Sequence, residues 1–459
     1  VIELLRRAAD RDPEAVAMIA ESGEWTYARL AADAEAYAHG LRAARIDRFA
    51  IVSNDIPVVV ALMAASSLIG AEACVYAPDI APEEMDRQAA SFAHAVVVSD
   101  RTDLGDHTVR VVRPESLSGD GPALGVLPER RPLLVLTTGS TGTPKGVRHD
   151  WSRQLSRMAK ARDGSGQVWL LAYGPQQFAG LQVLIHVLGT GATLVAPSVR
   201  RPQAVLELIH DHRVDHISAT PTFWRFMLAE FRADARPVPV LQQITLGGEA
   251  APGALLEELR ETFPDARVSH IYAGSEFGST GSVRDGTDGL PASLLESSDD
   301  AEVGLRIVDG ELWVRSSASM LGYHGEDDRP ADEWWPTGDL VDVIDDRIVF
   351  RGRKTDVINV GGVKVHPLPV EERVIAVPGV KVARVYGRAN ALVGAVVAVD
   401  VVADESAGGA EGVDERALKS AIRDACADLP RPWQPRSIQV VAELAMKENK
   451  VIRGGAAEG

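Results

Sequence analysis

Cysteine is nearly absent from this chain: Cys74 and Cys426 are the only two in 459 residues. They lie far apart and at no metal-ligand spacing, which argues against a disulfide-stapled scaffold and makes a reducing cytoplasm the expected setting. Basic charge is also scarce. Lys and Arg number 48 against 65 Asp and Glu, a net charge of −17, with acidic residues crowded between Asp285 and Asp346. That balance argues against sequence-independent nucleic-acid binding and against adhesion to an anionic membrane. Long hydrophobic runs are missing too. The longest candidate, Val58 to Gly70, contains two serines and falls short of the roughly 20 apolar residues a spanning helix needs. No charged-then-apolar leader follows Val1, so no secretory signal is expected. There is no internal repeat.

What is present is an ordinary globular composition, 46% apolar and 25% charged, on a chain long enough for two or three domains. Helical periodicity marks the stretch from Trp25-Thr26-Tyr27 to about Ala44, and Val58 to Gly70 reads as a mostly buried helix. Strand-like runs follow at Ala73 to Ala77, Ala95 to Ser99 and Leu133 to Leu136. From Gly180 to Tyr272 short apolar strands alternate with helices. This alternation implies right-handed parallel crossovers, hence α/β sheets covered by helices. After Val303 short strands with acidic turns predict a smaller β-rich subdomain. The polar joint Arg351-Gly352-Arg353-Lys354-Thr355-Asp356 marks a boundary. The expectation is a large domain over residues 1–353 and a small, mobile α+β domain over 354–459.

The most informative segment is Leu136-Thr137-Thr138-Gly139-Ser140-Thr141-Gly142-Thr143-Pro144-Lys145-Gly146. Its three glycines, five hydroxyl side chains and one lysine follow an apolar strand. Glycine lets backbone N–H groups turn inward toward a ligand, hydroxyls add donors, and the lysine adds positive charge. Such a loop suits a polyphosphate. It is not a Walker A loop, because no Ser or Thr follows Lys145.

Other candidates sit in loops beyond strand ends, where ligands of open α/β sheets gather. Gly247-Gly248-Glu249-Ala250 offers backbone amides and close approach. Tyr272-Ala273-Gly274-Ser275-Glu276 brings an aromatic face, a hydroxyl and a carboxylate together. A carboxylate beside phosphates is repulsive unless it holds Mg²⁺. Trp335-Pro336-Thr337-Gly338-Asp339 presents a carboxylate able to accept from a ribose diol. Phe350-Arg351-Gly352-Arg353 supplies a guanidinium suited to ribose oxygens or phosphate. Lys450 stands in Asn449-Lys450-Val451-Ile452-Arg453. His210, His212 and His216 have no carboxylate or cysteine at ligand spacing and read as surface histidines rather than a zinc site.

In their order and spacing these segments resemble the adenylate-forming superfamily of acyl- and aryl-CoA ligases, peptide-synthetase adenylation domains and luciferases, from Trp25 to Lys450. The resemblance implies an enzyme that joins a carboxylic acid to ATP as an acyl-adenylate, releases pyrophosphate, and passes the acyl group to a thiol. It implies that Thr137, Thr138, Gly139, Ser140, Thr141, Gly142, Thr143 and Lys145 hold the ATP phosphates. Gly247, Gly248, Glu249, Ala250 and Tyr272 would flank the adenine, Ser275 would contact the α-phosphate, and Glu276 would bind Mg²⁺. Asp339 and Arg353 would hold the ribose. Lys450 would bridge the substrate carboxylate, the α-phosphate and the ribose. The sequence departs from the family at four places. Thr355 stands at the hinge position of Asp or Lys, Pro369 replaces a Glu, Ser275 a threonine, and Asn449 the glycine before the lysine.

Amino-acid-activating relatives place an acidic residue in the substrate pocket. The corresponding segment, Tyr173-Gly174-Pro175-Gln176-Gln177-Phe178-Ala179-Gly180-Leu181, contains none, and a buried ammonium there would lack a partner. A non-amino acid, aryl, alicyclic or acyl, is expected in a pocket lined by Tyr173, Gln177, Phe178, Phe223, Gly247 and Ala273. Gly361-Gly362 marks the mouth of the expected thiol tunnel. The acceptor is coenzyme A or the phosphopantetheine of a carrier protein. Coenzyme A is favoured because no carrier domain follows Lys450 in this sequence. Three other readings stay open: a P-loop phosphotransferase, a luciferase-like oxygenase, and a catalytically silent binding protein.

Overall fold

The computed structural model describes the chain apart from residues 105–107, 138–143, 157, 159–160, 297–300, 331, 405–413, 445, 448–449 and 452–459. Two large sheets dominate. One has seven strands in the order Gly322–Tyr323, Lys145–Asp150, Pro132–Thr137, Glu72–Val75, Arg48–Val52, Val96–Ser99, Arg110–Val112. The other has eight, in the order Gly278–Val283, Arg267–Gly274, Gln243–Gly247, His216–Ala219, Val168–Leu171, Thr193–Val195, Val16–Ala20, Gly23–Thr26. Their interiors are parallel, as the strand–helix alternation predicts. One edge of each adds antiparallel strands, which it does not predict: Lys145–Asp150 runs against Pro132–Thr137, and Gly278–Val283 against Arg267–Gly274.

The helices Tyr27–Ala43, Ile56–Ile69 and Phe178–Thr190 share one core with facing sides of both sheets, including Phe49, Val135, Trp169 and Leu194. A helix packed on all sides needs no polar stripe. Ile56–Ile69 is buried at Ile56, Pro57 and every position from Val59 to Leu68, and it ends at Gly70 with φ +75°, the left-handed cap glycine accepts without strain. Pro202–Asp211, Pro221–Ala233 and Gly253–Thr262 cover the outer face of the eight-stranded sheet, and Pro82–Ser91 that of the other.

Beyond these lies an antiparallel five-stranded sheet, Leu290–Pro291, Arg347–Arg353, Trp335–Ile344, Glu311–Ser316, Val303–Val308, with its own core. Residues Ile358 to Ile438 form a separate core around the hairpin Val380–Asn390/Gly394–Ala403 and the helices Pro367–Ile375 and Glu415–Ala425. A buried ion pair, Arg384 to Asp400 at 2.6 Å, sits between the two hairpin strands. The closing hairpin Met446–Lys447/Lys450–Val451 runs beside the helix Pro221–Ala233. Among the described residues no helix is long and apolar enough to cross a membrane.

Candidate active site

The candidate residues come from both large sheets and from the five-stranded sheet, so no single sheet edge carries them. Pro132–Thr137 of the seven-stranded sheet ends at Thr137, and Lys145 opens the returning strand directly opposite it. Residues Thr138, Gly139, Ser140, Thr141, Gly142 and Thr143 lie outside the described residues. The flanking strands therefore fix the two ends of the proposed phosphate loop.

Lys145 faces the other sheet through Tyr323. Its Nζ lies 5.1 Å from the Tyr323 ring centroid, and the Tyr323 hydroxyl donates to Glu276 Oε1 at 3.2 Å. Burial, reinforced by the Glu276 charge, raises the Tyr323 pKa and keeps the phenol protonated as a donor. The loop bearing Glu276 is pinned a second time, because Met320 N–H donates to the Glu276 carbonyl at 2.9 Å. Glu276 Oε2 accepts no hydrogen bond from the described residues. A half-buried carboxylate with one oxygen free fits a hydrated Mg²⁺ that takes its other ligands from phosphates. No group of three or more His, Cys, Asp or Glu side chains suited to a metal occurs among the described residues. His210 pairs with Asp234 at 3.5 Å and His216 with Asp215 at 2.6 Å.

A second cluster joins Tyr272, Asp339 and Arg353. The Tyr272 hydroxyl donates to Asp339 Oδ2 at 2.6 Å, and Arg353 Nε reaches Oδ1 at 2.9 Å. Asp339 and Arg353 are paired residues of adjacent antiparallel strands, so the sheet register sets this contact. Thr337 completes it. Its hydroxyl accepts from Asp339 N–H at 3.1 Å, and its carbonyl accepts from Arg353 Nη1 at 2.7 Å. Burial lifts the Asp339 carboxyl above the usual range, against the pull of Arg353 and the Tyr272 hydroxyl. Tyr272 packs against Phe350 and Phe277, with centroids 4.9 Å and 5.4 Å away. The Glu276 charge is felt at both Asp339 and Arg353, so the two clusters lie within electrostatic reach of each other.

The expected acid pocket lies alongside. Tyr173 donates to the Gly247 carbonyl at 3.2 Å. Gly248 has φ +83°, which favours glycine at this turn. Glu249, expected beside the adenine with Ala250, reaches the helix Pro221–Ala233, where its Oε2 accepts from Thr222 N–H at 3.0 Å. That is a cap on the helix bearing Phe223, a role for this carboxylate that its place in the motif did not suggest. Gln177 Oε1 accepts from Gly174 N–H at 2.7 Å and closes the pocket loop. Phe178 stacks on His149, with centroids 5.3 Å apart, and His149 is adjacent to the Ser275 backbone. Ala273 lies in the same strand as Tyr272. Lys450 is described by its backbone only: it pairs with Lys447 and belongs to the hairpin beside Pro221–Ala233.

Sequence reasoning passed over Tyr323, His149 and Thr337. The aromatic of Gly322-Tyr323 and a single histidine within Lys145–Asp150 carry no signal by themselves. Thr337 was visible only as part of the turn holding Asp339.

The Glu276–Tyr323 contact beside Lys145 and the Tyr272–Asp339–Arg353 cluster fit the class of nucleotide-dependent carboxylate-activating proteins. The chain belongs to the AMP-binding enzyme family, whose model matches residues 5–324, and so to the AMP-forming acid–thiol ligases. It is 25% identical to a fatty acid–[acyl-carrier-protein] ligase of Mycobacterium marinum, over 99% of this chain and 96% of that protein. It is 27% identical to the 2-succinylbenzoate–CoA ligase of Bacillus velezensis, over 83% and 84%. In fold it resembles the o-succinylbenzoate CoA synthetase of Bacillus subtilis, solved with its acyl-adenylate intermediate. The TM-score is 0.79, identity 23%, and coverage 99% and 98%. The anthranilate CoA ligase AuaEII, solved with anthranoyl-AMP, gives a TM-score of 0.83 at 18% identity, covering 98% and 95%.

Proposed function

We propose that this protein activates a non-amino carboxylic acid with ATP and Mg²⁺ and transfers the acyl group to coenzyme A. The observation that carries the reading is the Lys145–Tyr323–Glu276 contact beside the Asp339–Arg353 pair. In this reading Lys145 would supply a cation, Glu276 a metal ligand and Asp339 a ribose acceptor close to one another. A carboxylate oxygen of the acid bonds to the ATP α-phosphorus as the bridging oxygen to the β-phosphorus departs with pyrophosphate. The thiol sulfur then bonds to the acyl carbon, its proton leaves to solvent, and AMP departs. No general base is needed in the first step, because the nucleophile is already ionised. Two anions must instead be brought together, so the residues work by positioning and charge neutralisation. Lys145 with residues 137–143 would hold the phosphates, Asp339 and Arg353 the ribose, Ser275 the α-phosphate, and Lys450 the reacting oxygens. Bound Mg²⁺ would supply charge neutralisation between the phosphates at Glu276. Residues 1–353 would form the adenylation domain and 354–459 a mobile domain presenting Lys450 and the Gly361-Gly362 turn.

Glu249, whose charge reaches Tyr173, is already engaged by a backbone N–H. That supports an acid without an α-ammonium. A panel of aryl, alicyclic, fatty and amino acids in ATP–pyrophosphate exchange tests the reading, and a preference for amino acids would overturn the substrate class. Lys450→Ala should lower exchange by about 10²-fold or more, as expected for loss of a transition-state charge partner; wild-type exchange would remove its role. A second acceptor, the phosphopantetheine of a carrier protein, is favoured by the match to an acyl-carrier-protein ligase along nearly the whole chain. Mixing the enzyme-bound adenylate with coenzyme A and with a loaded carrier decides between them.

A further inference from the structure

His149 lies four residues beyond Lys145 on the strand leaving the phosphate loop, and its side chain is only 1% exposed. Gln154 Nε2 donates to its Nδ1 at 3.0 Å, while Gln154 Oε1 accepts from Gln182 Nε2 at 2.9 Å. An amide nitrogen only donates, so Nδ1 is the acceptor and the ring proton resides on Nε2. Burial depresses the His149 pKa to about 4, so the ring is a neutral donor at physiological pH. Among the described residues Nε2 completes no hydrogen bond, yet the Ser275 backbone lies close enough to favour the ring proton. One face of the imidazole stacks on Phe178 at 25° between planes. Phe178 and Gln182 belong to the same helix, which therefore grips the ring twice, directly by its face and through Gln154 by its edge.

We propose that His149 is a positioning residue that couples occupancy of the acid pocket to the nucleotide loop at Ser275-Glu276. This rests on the ligase reading above and names how the two substrates sense each other. A buried N–H left unpaired costs about 1–3 kcal/mol. Movement of the Ser275 carbonyl onto Nε2 recovers that loss. An acid pressing on Phe178 shifts the ring that makes this bond, so Ser275 and Glu276 take their nucleotide-binding positions together with pocket filling. Coupling of this kind between two sites typically amounts to about 5- to 150-fold in affinity.

The test uses the full chain and calorimetric binding of α,β-methylene ATP with Mg²⁺, which does not require turnover. Affinity is measured without acid and with whichever of benzoate, 2-succinylbenzoate or octanoate gives the strongest wild-type pyrophosphate exchange. The wild type should show a coupling factor of about 5-fold or more. In His149→Phe, which keeps the stack on Phe178 but removes the donor, the factor should fall to near one while nucleotide affinity without acid is retained. His149→Gln, which keeps a donor, should restore part of it. Gln154→Leu, which frees the ring edge without touching Phe178, should also reduce it and serves if His149→Phe does not fold. Undiminished coupling in the folded variants, or no coupling in the wild type, overturns the proposal. Absence of exchange with every acid would overturn the ligase reading itself, a distinct result.

Discussion

A single phenol separates the two charges at the centre of the site. Tyr323 gives its ring to Lys145 and its hydroxyl to Glu276. Tyr323→Phe removes only the second contact. Loss of a hydrogen bond to a charged group costs about 1.5–3 kcal/mol, so pyrophosphate exchange should fall roughly 10- to 100-fold, with the variant's melting temperature little changed. Tyr323→Ala also strips the ring from Lys145 and should in addition raise the KM for ATP. Equal effects from the two substitutions would show that the hydroxyl is not the important part. Asp339 offers a different separation. Asp339→Asn keeps the shape but gives up the anion that Arg353 and Tyr272 both engage. The KM for ATP should rise roughly 10-fold or more, with kcat less affected, since ribose contacts are made equally in ground and transition states. A fall in kcat at unchanged KM would argue against a ribose role.

Among the elements, the helix Phe178–Thr190 carries the most consequence for function. Gly180 lies in its first turn, and a Cβ there would collide with the Gly174 carbonyl oxygen of the pocket loop. Gly180→Ala must push that loop away or kink the helix start. Overpacking of this kind costs about 1–3 kcal/mol. Thermal unfolding should move down accordingly, and the acid KM should rise more than the ATP KM. The existence of this helix was legible because Gly180 to Leu188 is a dense apolar run, and Ile56–Ile69 was legible for the same reason. Lys145–Asp150 was not. Lys-Gly-Val-Arg-His-Asp has no alternating pattern, because the strand is held by Pro132–Thr137 on one side and Gly322–Tyr323 on the other. Its structure comes from neighbours distant in sequence, and so do the positions of Tyr323 and His149. The motif residues Asp339, Arg353, Glu276 and Lys145 could be named from local chemistry. That Glu276 meets Tyr323, 47 positions away, depends on how two separate sheets face one another. The turn from Gly247 to Ala250 shows the reverse limit, since its glycines could be read locally but the capping role of Glu249 could not.

For the molecule as a whole, buried histidines set a dependence of stability on acidity that is separate from the chemistry. Burial depresses the pKa of His94 to about 3 and of His149 to about 4, from an ordinary 6.5. His94 is held by a 2.7 Å bond between its Nδ1 and the Tyr76 hydroxyl, within the core of the seven-stranded sheet, and His149 by Gln154 at the junction with the other sheet. Below about pH 6.5 the unfolded chain takes up protons at these positions while the native chain does not. Their contribution to stability is therefore fully present above that value and is lost as the pH falls toward 4 for His149 and toward 3 for His94. Each pKa unit corresponds to about 1.4 kcal/mol, so the two together amount to several kcal/mol at the acid end. The melting temperature should hold steady from pH 8 to 7 and decline between pH 6.5 and 5, with a shallower slope in His149→Gln, which has no ring to protonate. An unchanged slope in that variant would mean that carboxylates elsewhere, not this histidine, govern the decline. Because the His149 pKa lies far below neutrality, the adenylation rate should show no inflection from it between pH 6 and 8, even though the same side chain adjoins Ser275. Stability and catalysis would then respond to acidity through different groups, with the sheet junction losing its hold before the reacting carboxylate loses its charge.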